Sequence, residues 1–177
     1  MIDLIIFKTK HHMDSPINAF TWQQFGAAID TLENAIVACP DQLWQDEPKF
    51  CQLAHHTLFF LVYYLSDDTP LESEYTPPPP FTKSEFDEAP PMVRYTKNEL
   101  LVYVSYGRQK LRDQLTRNTT EELVARRFVS EYLDFTLFEL LLYNMRHVQH
   151  HAAQMNMLLR QRGEIPPDWV DRTNEAA

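Results

Sequence analysis

Three histidines stand in the middle of one uninterrupted helix-forming run, TLFELLLYNMRHVQHHAAQMNMLLRQR, from Thr136 to Arg162. His147 and His151 are four apart, so on a helix their imidazoles stand one above the other. A neutral imidazole pair aimed at one point is how a helix offers two ligands to a divalent metal ion. The H-x3-H spacing also occurs without a metal, and a single core histidine is usually a packing residue with hydrogen-bonded ring nitrogens. The stacked pair is what brings metal ligation into consideration. Gln154 follows on the same edge, whereas His150 turns towards the polar Glu139 and Arg146. A second pair, His55 and His56, sits in KFCQLAHHTLFFLVYYLS. Adjacent residues on a helix are about 100° apart, so only one of these two can point into a given site. Leu53, Phe60 and Tyr64 flank the His56 side, Phe59 and Val62 the His55 side, and periodicity does not choose between them. His11 and His12 also point apart, and no role is assigned to them.

The elements that must position these groups are legible in part. Thr136 with Glu139 forms a capping box, Gly163 stops the run, and Pro166 and Pro167 follow. Leu137, Leu140, Val148, Met155 and Leu158 share one side of this helix, with His151 inside the stripe and His147 on its edge. Ser15 before Pro16 predicts an earlier helix start, and Phe25, Ile29, Leu32 and Ile36 repeat at helical spacing until Pro40. The helix with His55 and His56 is apolar almost all round, so it must be covered on more than one side, and a second copy of the protein is one source of cover. Thr96 with Glu99 opens another helix, with Leu100, Val104, Gly107, Leu111 and Leu115 on one face. Gly107 costs helix propensity and predicts the close approach of a neighbour.

Between the second and third of these helices, from Ser66 to Tyr95, lie seven of the twelve prolines, including the run Pro77 to Pro80. No regular helix crosses such a stretch. Phe81 and Phe86 predict that it packs back onto the body beside the site. The segment from Thr119 to Phe135 reads as a connection with a helical turn over EELVARR, and the stretch after Pro166 as a loose tail with Trp169 as its anchor. Four helices and one long crossover describe an all-α bundle in which ligands converge from facing helices. The whole chain, 1–177, reads as one domain with peripheral tails at 1–13 and 164–177.

Composition narrows the function. Hydrophobic content of 44% and charged content of 23% belong to an ordinary globular chain. The net charge of -9 opposes wrapping of nucleic acid phosphates. No apolar run reaches the ~20 residues a membrane span needs, and no signal-peptide pattern opens the chain, so a cytoplasmic protein is expected. Cys39 and Cys51 form no CxxC pattern and are expected to be reduced, buried thiols.

These residues resemble the DinB/YfiT-like family of metalloenzymes. The likeness is carried by LAHHTLFFLVYYLS, by PPPPFTKSEFDEAPPMVRYTKNELLVYVSYGRQKLR and by ELLLYNMRHVQHHAAQMNMLLRQ, from about Phe20 to Arg162, with the HxxHHxxQ pattern around His147 and His151 as its most specific part. The resemblance implies an up-up-down-down four-helix bundle, commonly a homodimer, that binds zinc, nickel or a similar divalent ion. It implies His56, which precedes Thr57 and Leu58, as the ligand from the second helix, and His147 and His151 as the pair from the fourth. Where the family often has Arg-Gly before the glutamine, this chain has Ala152 and Ala153. Relatives include transferases that use a low-molecular-weight thiol, and an isomerase. The implied function is a metal-dependent transferase acting on a small electrophile. The alternatives are a metal-dependent hydrolase and a non-catalytic metal-binding bundle, and no catalytic side chain is singled out.

Overall fold

The structure, a computed structural model, describes residues 15–66, 72–87, 93–130 and 132–176. The N-terminal tail, 1–13, with His11 and His12, lies outside the described residues. Helix α1 (Pro16–Ala38) begins where Ser15 accepts a hydrogen bond from the Ile17 amide. A one-and-a-half-turn helix α2 (Asp41–Asp46), not expected from sequence, leads into α3 (Pro48–Tyr64). Helices α4 (Lys97–Arg117), α5 (Thr120–Ala125) and α6 (Leu137–Gln161) each open on a reciprocal capping box: Thr96 with Glu99, Thr119 with Glu122 and Thr136 with Glu139. Each cap of this kind stabilises its helix by about 0.5–2 kcal/mol. Gly163, at φ 82°, takes the left-handed conformation just past α6 that ends a helix.

The described residues are mostly helical, with one correction to the all-α expectation. Strands β1 (Arg127–Val129) and β2 (Asp134–Thr136) form a short antiparallel hairpin between α5 and α6, with Phe128 opposite Phe135. Its strands are too short for alternation to register as a signal.

Helices α1 and α3 each pack against both α4 and α6, around a core that includes Phe25, Ile29, Leu58, Leu61, Val104, Val148 and Met155. Side-chain hydrogen bonds fix their directions. Asn18 near the start of α1 donates to the Leu115 and Asn118 carbonyls at the end of α4, at 2.8 and 2.9 Å. Arg108, buried in mid-α4, pairs with Asp30 and Glu33 of mid-α1, so α1 and α4 are antiparallel. Cys51 meets Tyr95 just before α4, and Gln114 near its end donates to the Leu65 carbonyl just after α3, so α3 and α4 are parallel. Asn144 of α6 donates to the Leu61 carbonyl at 3.0 Å while His56 faces His147, so α3 and α6 are antiparallel.

The long helices therefore run up, down, down, up, which corrects the expected up-up-down-down order. The reason is reach. A parallel pair needs a return as long as the helix, roughly 25–35 Å for helices of this length at about 1.5 Å per residue. The partly helical link 39–47 is too short for that, whereas the crossover between α3 and α4 is long enough.

The described part of the crossover packs on the body, as expected. Phe81 stacks on Tyr103 at 3.9 Å between ring centroids. Tyr75 and Phe86 join Phe59, Phe60, Tyr63 and Tyr64 in a second aromatic cluster on the outer side of α3. This chain itself thus supplies the cover that the apolar α3 requires. Beyond α6, Trp169 is 75% exposed and does not anchor the tail. Thr173 and Glu175 do so instead: the Thr173 amide donates to the Gln23 carbonyl, and Trp22 Nε1 donates to the Glu175 carbonyl.

Gly107 meets the expected neighbour. A Cβ built there would lie 2.7 Å from Leu61 Cδ2 and 3.2 Å from its Cγ, and Leu61 is fully buried. Alanine would gain about 1 kcal/mol of helix propensity, but overpacking of a core costs about 1–3 kcal/mol. Gly107→Ala is expected to lower stability by up to about 2 kcal/mol in urea denaturation and Gly107→Val by more; a stabilised alanine variant would mean that Leu61 yields freely.

Candidate functional site

His147 and His151 occupy successive turns of α6 on the side that faces α3, where His56 projects between them. Ring centroids lie 4.5 Å apart for His147 and His151, 5.4 Å for His56 and His147, and 5.0 Å for His56 and His151. One ring nitrogen from each falls within 4.8 Å of the other two. The structure thus brings together the three histidines that the resemblance implied. His150 remains exposed on the far side of the turn, where its Nε2 accepts from Gln154 Nε2 at 3.2 Å.

The adjacent His55 points elsewhere. It is 2% exposed, its ring lies 4.6 Å from Tyr95 and 5.7 Å from Phe81, and it takes no part in the cluster. Between the two neighbours sits Glu85, on the single 3-10 turn of the crossover (Ser84–Phe86). Its Oε1 accepts from His55 Nδ1 and its Oε2 from His56 Nδ1, both at 2.9 Å. Burial alone would raise the Glu85 pKa, but the two imidazole hydrogen bonds outweigh it and bring the carboxyl down to about 2. An ionised carboxylate only accepts, so both imidazoles carry their proton on Nδ1. In its neutral form His56 then has its lone pair on Nε2, which lies 3.4 Å from His147 Nε2.

His151 is oriented by the same device from the other side. Its Nδ1 donates to Gln154 Oε1 at 2.7 Å, one turn along α6, and its Nε2 is left as the acceptor. Burial, with the charges that His151, His56 and His150 would carry, pushes the His147 pKa down to about 3. Burial also lowers the His151 pKa, against the opposing hydrogen bond that its Nδ1 donates to Gln154. His147 and His151 are therefore held in the neutral form in which imidazole binds metal. Among the described residues Nδ1 of His147 is buried with no hydrogen-bond partner, a cost that a folded chain bears only rarely.

This donor set can hold a divalent ion. Three imidazoles, two of them fixed through their second nitrogen, are a ligand set of the kind that holds such an ion. The ring of Phe60 walls one side, 4.9 Å from His56 and 5.7 Å from His147. The other side opens into a cleft of about 660 Å³ lined by His56, His151 and Glu85 among others.

Sequence reasoning missed Glu85 and the role of His55. Glu85 lies among other polar residues in a stretch without periodicity, twenty-nine residues from His56, and only the return of the crossover joins them. Gln154 was visible as part of the HxxHHxxQ spacing.

Acid should act on the metal-free protein through His147. Once unfolded, it takes up a proton near its ordinary value of 6.5, but in the fold only near 3, so between these values the unfolded state binds more protons. Stability is therefore expected to fall as pH drops through this window. His147→Gln, which does not titrate, should lose less over the same range in thermal melts of chelator-treated protein. Parallel profiles for the two proteins would mean that His147 titrates normally in the fold.

Among known proteins, the model of the DinB family matches residues 81–176, slightly more than half of the chain. No curated protein matches it. The matched stretch carries Glu85, His147 and His151, while His56 lies upstream and joins them through the packing of α3 on α6. On that match, the chain belongs to the DinB family.

Proposed function

We propose that this chain is a cytoplasmic, divalent-metal-dependent enzyme with a four-helix-bundle scaffold, and that His56, His147 and His151 hold the ion, zinc or nickel. The observation that carries this reading is the convergence of three ring nitrogens within 4.8 Å, beside an open cleft. Glu85 and Gln154 orient His56 and His151, and burial keeps His147 in the ligand form.

The reaction we propose is transfer of a low-molecular-weight thiol to a small electrophile. A bound divalent ion would supply Lewis acidity, lowering the pKa of a thiol or water placed on it. The thiol proton passes to solvent, the sulfur forms a bond to the electrophilic carbon, and the leaving group departs with the electrons of its broken bond. A thiol is favoured over water because, among the described residues, Glu85 is the one acid lining the cleft, and both of its oxygens are committed to His55 and His56. A water nucleophile would want a free general base there. The protein would work as a homodimer through the outward side of α6, where Leu142, Ala153 and Met157 are exposed.

Elemental analysis of protein loaded with zinc or nickel is expected to give one ion per chain, and none after joint replacement of the three histidines by alanine. Stoichiometric metal in the triple variant would end the proposal. His56→Ala should lower affinity by orders of magnitude, and His55→Ala far less, with folding checked by circular dichroism; the reverse order would sink the assignment. Glu85→Gln can accept from one imidazole but not from both, and should weaken metal binding by roughly 10–100-fold.

Chromatography with in-line light scattering at tens of micromolar is expected to give twice the chain mass. A monomer there would remove the dimer.

A further inference from the structure

The cleft beside the histidines is a groove between the N-terminal half of α3 and the C-terminal half of α6. Lys49, Leu53 and His56 follow one another at i, i+4 and i+7 on α3, and His151, Gln154, Leu158 and Gln161 occupy the matching face of α6. Because the helices are antiparallel, the groove has two unlike ends. The three-histidine cluster closes one end, and Lys49 stands at the other, across from Gln161. His56 lies seven positions after Lys49 on α3, a rise of roughly 10 Å.

Between these ends the floor is apolar. Leu53 and Leu158 are half-buried against the core, and Met157 is 52% exposed along the edge. Among the described residues, Lys49 is the only charged residue that lines the groove apart from Glu85 at the histidine end. Among the described residues no carboxylate pairs with it, and Glu47, two residues away, is engaged by Arg162. A volume of about 660 Å³ suits a small-molecule ligand rather than a macromolecular surface.

We infer that this groove takes an elongated amphipathic anion. Its reactive end lies at the histidines, an apolar segment lies over Leu53 and Leu158, and an acidic group about 10 Å away meets Lys49. The inference rests on the metal reading above and adds to it the substrate class. The cation is partly solvated, so its contribution to affinity is modest and sensitive to salt. Its larger effect is selection of chain length, because only a ligand that spans the groove reaches both ends.

The test uses cobalt(II)-loaded protein and a series of ω-mercaptocarboxylates of increasing chain length, each beside the ω-mercaptoalcohol of the same length. The thiolate-to-cobalt absorption band reports binding at the histidines without any need for turnover. Among chains long enough to span roughly 10 Å, the acid is expected to bind more tightly than the alcohol, by roughly two- to fivefold at low salt. That preference should be absent for the shortest pair and in Lys49→Met, and reversed in Lys49→Glu. Failure of the protein to take up cobalt would overturn the metal reading and this inference together. Cobalt uptake with acids and alcohols equal at every length, or with a preference unchanged in Lys49→Met, would overturn the groove alone.

Discussion

The site depends on the axial register of α3 against α6. The two helices are antiparallel, and their relative slide decides whether His56 meets the gap between His147 and His151 or misses it. One helical turn is about 5.4 Å, larger than the spread of the three ring nitrogens, so a one-turn slip would dissolve the cluster. Asn144 holds the register where it is. Its side chain is fully buried and donates to the Leu61 carbonyl, one turn from His147 on α6 and little more than one turn from His56 on α3. A buried amide that found no acceptor would be costly, so the bond selects one register among those that an apolar seam of Leu, Val and Met would tolerate.

Once the register is set, the crossover completes the site. Phe81, ahead of the 3-10 turn, and Phe86, its last residue, dock into aromatic clusters, and their packing carries Glu85 to the His55 and His56 rings. A carboxylate taken out of water without partners would protonate; this one is held ionised by two imidazole donors. His55 therefore has a function that its distance from the cluster hides. It occupies one oxygen of Glu85, packs against Phe81 and Tyr95, and leaves the other oxygen aimed at His56.

The two faces of the site are built from different materials. Towards the helix C-terminal end of α4 and the hairpin, α3 carries a dense aromatic cluster that excludes water. Towards the N-terminus of α3, the walls are leucine, methionine and glutamine, with open access. Metal chemistry needs both: a dry side to hold neutral imidazoles, and a wet side through which a reactant can enter.

The sequence by itself determined the local elements and half of the site. Capping boxes at Thr96 and Thr136, the Ser15 cap before Pro16 and the glycine after α6 act within a few residues, so they mark helices α1, α4 and α6 before any tertiary contact forms. The four-residue spacing of His147 and His151 likewise follows from the helical period alone. What the tertiary structure decided were relations between distant segments. The choice of His56 over His55 is a matter of rotation of α3 within its packing, and 100° of rotation leaves no mark in a helix that is apolar on every side. The helix directions followed from how far each link can reach, the hairpin from pairing of strands three residues long, and the capture of the tail by Thr173 rather than Trp169 from a fit against α1. Glu85 is the clearest case. Its partners lie about thirty residues away, and a carboxylate in a proline-rich loop has no period to betray it. Its role arises from burial, which exists only once the chain has folded.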